Sequence, residues 1–181
     1  MNRDFYDFCY DQYKQEMSDA DNLYQKAGIL LVVIPLLGTI TVKMSRIDIL
    51  SLCFLRVNMF LFYLAFLITS VALTISVIFL LFCIHPRQYK NLGSIDVWHK
   101  WRDDYKKYLD DKGESIKDTD SIGDAMYENI TLRLIEAQPI NAKINEKRRK
   151  AFKRSIQSTT VALISIGLQT FFSIILKIQG V

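Results

Sequence analysis

The sequence predicts an all-α integral membrane protein with three transmembrane helices and a cytosolic helical bundle, and three observations carry that reading. First, residues 27–42, 57–84 and 156–176 contain no Asp, Glu, Lys or Arg. A helix needs about 20 apolar residues to cross a hydrocarbon core of about 30 Å. The second and third stretches meet that length. The first is shorter, but Lys26 and Lys43 flank it with aliphatic stems that carry their charges to the interface. Second, the mean hydropathy of the whole chain is only +0.13. That suits spans joined to a polar module and disfavours a compact polytopic transporter. Third, every major segment outside the spans reads as helix.

The first element, 1–26, is expected to be a cytosolic amphipathic helix that continues into the first span. Tyr6, Tyr10, Tyr13, Met17, Ala20 and Tyr24 follow a 4-3-4-3-4 spacing, which keeps them on one stripe. Asp4, Asp7 and Asp11 lie mainly on the other side. Such a stripe packs against helices of the same chain or docks a separate partner. The acidic, aromatic start is unlike a secretory signal, so the first span is expected to stay in the protein.

Residues 27–84 form the next unit, a transmembrane hairpin with spans 27–42 and 57–84. Its connection KMSRIDILSLCFLR is unusually apolar. Either Ile47, Leu50 and Phe54 share an interfacial helical face, or the second helix starts early.

A cytosolic helical insert, 85–155, follows. Ser94 is its first expected N-cap, with Asp96 in the first turn. The helix it opens carries Trp98, Trp101, Tyr105 and Tyr108, a stripe expected to pack against the N-terminal aromatic residues. Residues 110–121 read as a turn or loop. Ser121 with Asp124 resembles a capping arrangement for a helix over 122–137, and Pro139 is expected to break or kink it. Beyond the proline, 140–178 is expected to run as one helix, with 156–178 as the third span.

Charge sets the expected orientation. Of the chain's 23 Lys and Arg residues, sixteen lie in 86–155, and Lys147, Arg148, Arg149, Lys150, Lys153 and Arg154 crowd against the third span. Basic residues gather on the cytoplasmic side of spans. The N-terminus is then cytoplasmic and the C-terminus lies outside. The run KRRKAFKR could suit nucleic acid, but its place beside a span favours anionic lipid headgroups, so the bilayer is the expected partner.

No catalytic constellation appears. His85 and His99 stand in no metal-ligand spacing, there is no phosphate loop or nucleophile elbow, and Asp103/Asp104 and Asp110/Asp111 read as solvated helix faces. Cys9, Cys53 and Cys83 form no CxxC pair. No enzyme activity, cofactor or metal is expected. No span carries Asp, Glu, Lys or Arg, the usual mark of a coupled-ion site. The third span does carry hydroxyl and amide groups. Among them, Thr159, Gln169 and Ser173, with Ser165 or Ser158, are not expected to share one narrow stripe. On a broad polar face they either join helices within one chain or line a wet path in an oligomer.

Three segments bear a family resemblance. They are YQKAGILLVVIPLLGTI, the His85-Pro86-Arg87 end of the second span, and EAQPINAKINEKRRKAFKRSIQ, in which Asn141, Asn145 and Arg148 lead into the last span. The layout is similar to small transmembrane effectors of bacterial anti-phage defence, of the Pycsar, SLATT or retron-associated type. The resemblance implies an inner-membrane location and a role in impairing the membrane to stop growth of an infected cell. No separate nucleotide-binding domain is expected in the chain. The leading expectation is a homo-oligomeric effector, with Thr159, Gln169 and Ser173 as pore or packing residues. The alternative is a membrane anchor that recruits a cytosolic defence enzyme or complex, docked by Trp98, Trp101 and Tyr105.

Overall fold

The computed structural model describes residues 3–45, 56–112 and 119–178. They form four helices, α1 (Arg3–Ser45), α2 (Arg56–Ile84), α3 (Ile95–Asp111) and α4 (Thr119–Ile178). No strand occurs among the described residues, and α1, α2 and α4 are each long and apolar enough to cross a membrane. The fold is an all-α membrane fold. The apolar connection 46–55, with Cys53, lies outside the described residues, as do residues 113–118 of the expected loop.

The chain divides into two compact units. One comprises Asn22–Pro86 and Lys147–Val181 and contains the three apolar stretches. Its core joins Leu23, Ala27, Ile34 and Leu37 of α1, Ala72, Leu73, Leu80 and Cys83 of α2, and Ala162 of α4. Small residues at these contacts let helix backbones approach closely, which drives association where lipid is as apolar as the side chains. Lys43 in the last turn of α1 complements the negative end of the helix dipole.

Buried positions repeat in a 3-4 rhythm on each of these helices. On α2 they are Phe62, Ala65, Thr69, Ala72, Ser76, Leu80 and Cys83. On α4 every seventh residue from Leu134 is buried: Asn141, Arg148, Ser155, Ala162, Gln169 and Leu176. That seven-residue spacing is the one that coiled-coil seams use.

The other unit comprises Met1–Asp21 and Arg87–Glu146. Its α3 starts after Gly93, whose φ of +94° is a conformation that favours glycine. Ser94 sits at the N-cap with extended backbone and its carbonyl accepts the Val97 N–H, but its side chain makes no cap bond.

Three expectations need correction. The inward side of α1 departs from the expected stripe at two positions, where Cys9 and Leu23 are buried while Tyr10 and Tyr24 are exposed; Ala20 is buried and Tyr13 and Met17 are half-buried. A tyrosine ring is too bulky for a close seam, and Cys9 and Leu23 take those two places instead. Tyr6 stays half-buried, edge-on to Tyr127 of α4 at 5.0 Å. Next, α4 starts at Thr119, so Ser121 lies inside the helix rather than at its cap. The helix also continues through Pro139 without a break. Proline frees the carbonyl four residues earlier; Pro139 and Ile135 are both exposed, so water can take that acceptor. Thr159, Ser165, Gln169 and Ser173 are all buried on the inward side of α4, spread over neighbouring rows. Thr159 and Ser173 lie two heptads apart, Gln169 is on the companion row, and Ser165 borders it.

Candidate functional site, a polar seam along α4

Within the membrane unit the polar groups of α4 meet α2 at three levels. At the first, Ser76 of α2 stands between two hydroxyls of α4, 2.9 Å from Ser155 Oγ and 2.7 Å from Thr159 Oγ1. Ser155 Oγ also donates to the Ser76 carbonyl at 2.9 Å, and Ser76 Oγ lies 3.0 Å from the Ser155 carbonyl. At the second, Ser165 Oγ donates to the Ala65 carbonyl at 2.8 Å, which also accepts from Thr69 Oγ1 at 2.9 Å. At the third, Gln169 Nε2 donates to Thr69 Oγ1 at 2.9 Å. Gln169 is fully buried, and its Oε1 has no hydrogen-bond partner among the described residues. In hydrocarbon such bonds hold helices together, each contributing roughly 0.6 kcal/mol and at most about 1.7.

Arg148 closes the seam at the end where the spans turn polar. It is 1% exposed, unlike Lys147, Arg149, Lys150, Lys153 and Arg154, which all face outward. Arg148 Nε donates to the Cys83 carbonyl at 2.8 Å, in the last turn of α2. That carbonyl is one of four that a helix end leaves without a partner in its own helix. The guanidinium lies 3.8 Å from the Tyr24 ring centroid of α1, a cation–π contact. One side chain thus touches three helices.

In the other unit, α4 continues the pattern with asparagines. Asn141 pairs with both main-chain groups of Lys90: its Oδ1 accepts from Lys90 N at 2.9 Å and its Nδ2 donates to Lys90 O at 3.1 Å. Asn145 Oδ1 accepts from the Tyr89 hydroxyl at 2.6 Å. Its Nδ2 donates to the Glu16 carbonyl and carboxylate at 2.8 and 2.7 Å. Both asparagines are buried. The Lys90 ammonium, 2.7 Å from Glu136, holds that carboxyl below the usual glutamate range by hydrogen bond and charge. Burial pushes the Tyr6 phenol up, helped by Tyr10, Tyr127 and Asp7.

The aromatic stripe of α3 is half-buried at Trp98, Trp101 and Tyr105. Trp101 and Tyr105 stack at 5.2 Å, Tyr105 and Tyr108 at 6.2 Å, and Arg133 of α4 lies 5.0 Å over Trp98. The rings of α1 and α3 thus each find a partner on α4. No group of three metal-ligating side chains occurs among the described residues, and His85 is exposed at the end of α2.

The structure therefore brings Thr159 and Gln169 onto α2 and buries Ser173 beside them, whereas it separates Arg148 from the other cations. Sequence reasoning passed over Ser76, Thr69 and Ser155, which supply or complete the partners. It also passed over the separate place of Arg148. The signal was present in the seven-residue spacing of Asn141, Arg148, Ser155, Ala162 and Gln169. A family model, the Pycsar effector protein domain (PycTM), matches residues 5–175. No curated protein and no solved structure matches the chain.

Proposed function

The chain belongs to the Pycsar effector family, and from that premise of an antiviral defence effector in a membrane we propose that it acts by opening a leak in the bacterial inner membrane when triggered. The action is non-catalytic. The observation that carries this reading is the hydroxyl and amide row of α4, from Ser155 through Thr159 and Gln169 to Ser173, in a helix able to span the bilayer. In one chain the row is turned toward α2. A trigger that frees α4 from α2, in an oligomer, presents the same groups to water as a polar path. Burying unsatisfied polar groups in hydrocarbon costs several kcal/mol each, so the freed row favours either re-pairing with another copy or hydration.

The basic segment 147–154 of α4, beside its apolar stretch, supports an orientation with the N-terminus cytoplasmic and the C-terminus outside. The test is bacterial expression with a membrane-potential dye and a growth record. Thr159→Val, Gln169→Leu and Ser173→Ala together should lower depolarisation at equal membrane abundance. Unchanged depolarisation would remove this row from the leak.

A second reading makes the chain an anchor for a cytosolic defence enzyme or complex. The stacked Trp101–Tyr105–Tyr108 ladder favours it, because Tyr108 is about half exposed at its end. Under that reading expression alone is harmless, and Trp98→Ala with Trp101→Ala releases a co-purifying partner.

A further inference from the structure

We propose that α1 of one copy packs against α4 of a second copy, with the Leu31 carbonyl accepting a hydrogen bond from Thr160 of that second copy. The contact supplies an interface for the oligomer on which the proposed function rests, and it forms whether or not that oligomer leaks.

Pro35 lies inside α1 and carries no N–H, so the Leu31 carbonyl loses the donor that a helix supplies four residues on. Both residues are exposed. At Pro139 water can take the freed acceptor, but Pro35 stands nine residues after Lys26 and eight before Lys43, at the middle of a span. There an unpaired carbonyl costs several kcal/mol, and membrane helices keep a proline by meeting that carbonyl with a hydroxyl or a neighbouring helix. The hydroxyls of this span are spent elsewhere, Thr39 on the Pro35 carbonyl at 3.0 Å and Thr41 on the Leu37 carbonyl at 2.8 Å. No side chain among the described residues donates to Leu31. Room for an outside donor exists. An open groove of about 480 Å³ is lined by Pro35, Gly38, Thr39, Val42 and Lys43, and a Cβ added at Gly38 meets nothing within 4 Å. An acyl chain fills such a groove but brings no donor.

Depth selects the donor. Arg148 meets Tyr24 and Thr170 meets Met44, so α1 and α4 run parallel with an offset of 124 residues at one contact and 126 at the other. Pro35 is therefore level with 159–161. Copies in one bilayer share that register, and Thr160 is exposed at the required depth. Its hydroxyl lies 3.0 Å from the Ile156 carbonyl. Helix geometry gives that carbonyl the Thr160 N–H as well, so the hydroxyl proton is free to turn outward.

Thr74 of α2 is a rival at a similar depth, since Ser76 meets Thr159. Bulk decides between them. Leu67, Val71, Ile78 and Leu81 share the stripe of Thr74 and all are exposed. Gly167 instead follows Thr160 one heptad on, and a Cβ there meets nothing within 4 Å. A threonine reaches a main-chain carbonyl only where two helices approach closely, which a small residue permits. One copy gives α1 and the next gives α4, so the contact is heterologous and closes into a ring. Both faces are exposed in the fold described above, so the contact needs no trigger.

The test co-expresses two full chains with different tags, both carrying Cys9→Ala, Cys53→Ala and Cys83→Ala. One adds Thr39→Cys and the other Leu163→Cys. Oxidation in the membrane should link them as a heterodimer. Val161→Cys, on the opposite side of α4 at nearly the same depth, should give far less when it replaces Leu163→Cys. Energy transfer between labelled copies in micelles then reads the dissociation constant. Thr160→Val should raise it between about three-fold and about fifteen-fold, the range expected of one hydrogen bond between membrane helices. In a Pro35→Ala background, which restores the missing N–H, Thr160→Val should have no effect. Thr74→Val should have none in either background. The proposal is overturned by absence of the heterodimer, by equal linking through Val161→Cys, by equal effects of Thr160→Val in both backgrounds, or by a loss with Thr74→Val instead. The heterodimer without depolarisation would remove the leak alone, and depolarisation without the heterodimer would remove this interface alone.

Discussion

Arg148 carries a full charge at a seam position that Ser155 and Ala162 occupy one and two heptads further on. Burying a guanidinium costs several kcal/mol unless its surroundings repay it. Here the Cys83 carbonyl and the Tyr24 ring offset part of that cost. Arg148→Ala should lower stability in detergent micelles by about 2–4 kcal/mol, through the lost charge-assisted bond and the lost packing of its stem. Lys147→Ala, on the outward face, should change it by less than about 0.5 kcal/mol. Equal effects of the two would mean that Arg148 is not held as described. Glu136 illustrates the opposite case, an exposed pair with Lys90. Its folded carboxyl is more acidic than its unfolded one, so any stability it adds is present above the ordinary glutamate range. That stability is lost as pH falls through the lowered value. Glu136→Gln should flatten that acid limb at low salt, and high salt should flatten it equally in the wild type.

At the scale of elements, α2 and α4 share one polar contact region whose strength can be apportioned. A double-mutant cycle of Ser76→Ala and Thr159→Val should give a coupling of about 0.6 kcal/mol, and not above about 1.7. A coupling near zero would mean that the two hydroxyls find other partners. Pro139→Ala should stabilise the unit that contains it by about 1–3 kcal/mol, because it restores a helix hydrogen bond on an exposed face. The three apolar stretches were legible because length and missing charge suffice to mark a span. The phase of α1 was not. Both 6-10-13-17 and 6-9-13-16 are helical stripes, and only the bulk allowed at the contact decides between them. Proline misled for a similar reason: its local penalty is real, but it falls at an exposed stretch of the helix, with Pro139 and Ile135 both at the surface. The polar row of α4 was legible as composition, while its inward direction depended on Ser76 and Thr69 on another helix.

For the whole molecule, membership of the Pycsar effector family and three membrane-length helices agree with the defence role that the short resembling segments implied. Direct insertion tests follow. Ile164→Arg places a charge at an exposed apolar position of α4 and should lower the membrane-integrated fraction, at a cost of about 2.5–3.5 kcal/mol. Gln169→Leu, on the inward side, should leave insertion intact. Reversed outcomes would mean that α4 presents the other face to lipid.

Gly167 sits between these two faces, two residues before Gln169. A Cβ added there meets nothing within 4 Å. In composition the position is permissive, and Gly167→Ala should pass unnoticed or stabilise slightly. In count it is strict. One extra residue at 167 turns everything after it by about 100°, swinging Gln169 and Ser173 off α2 and out among the acyl chains. A chain that tolerates almost any small letter at this point should tolerate no change in the number of letters, whereas seven inserted residues would restore the phase.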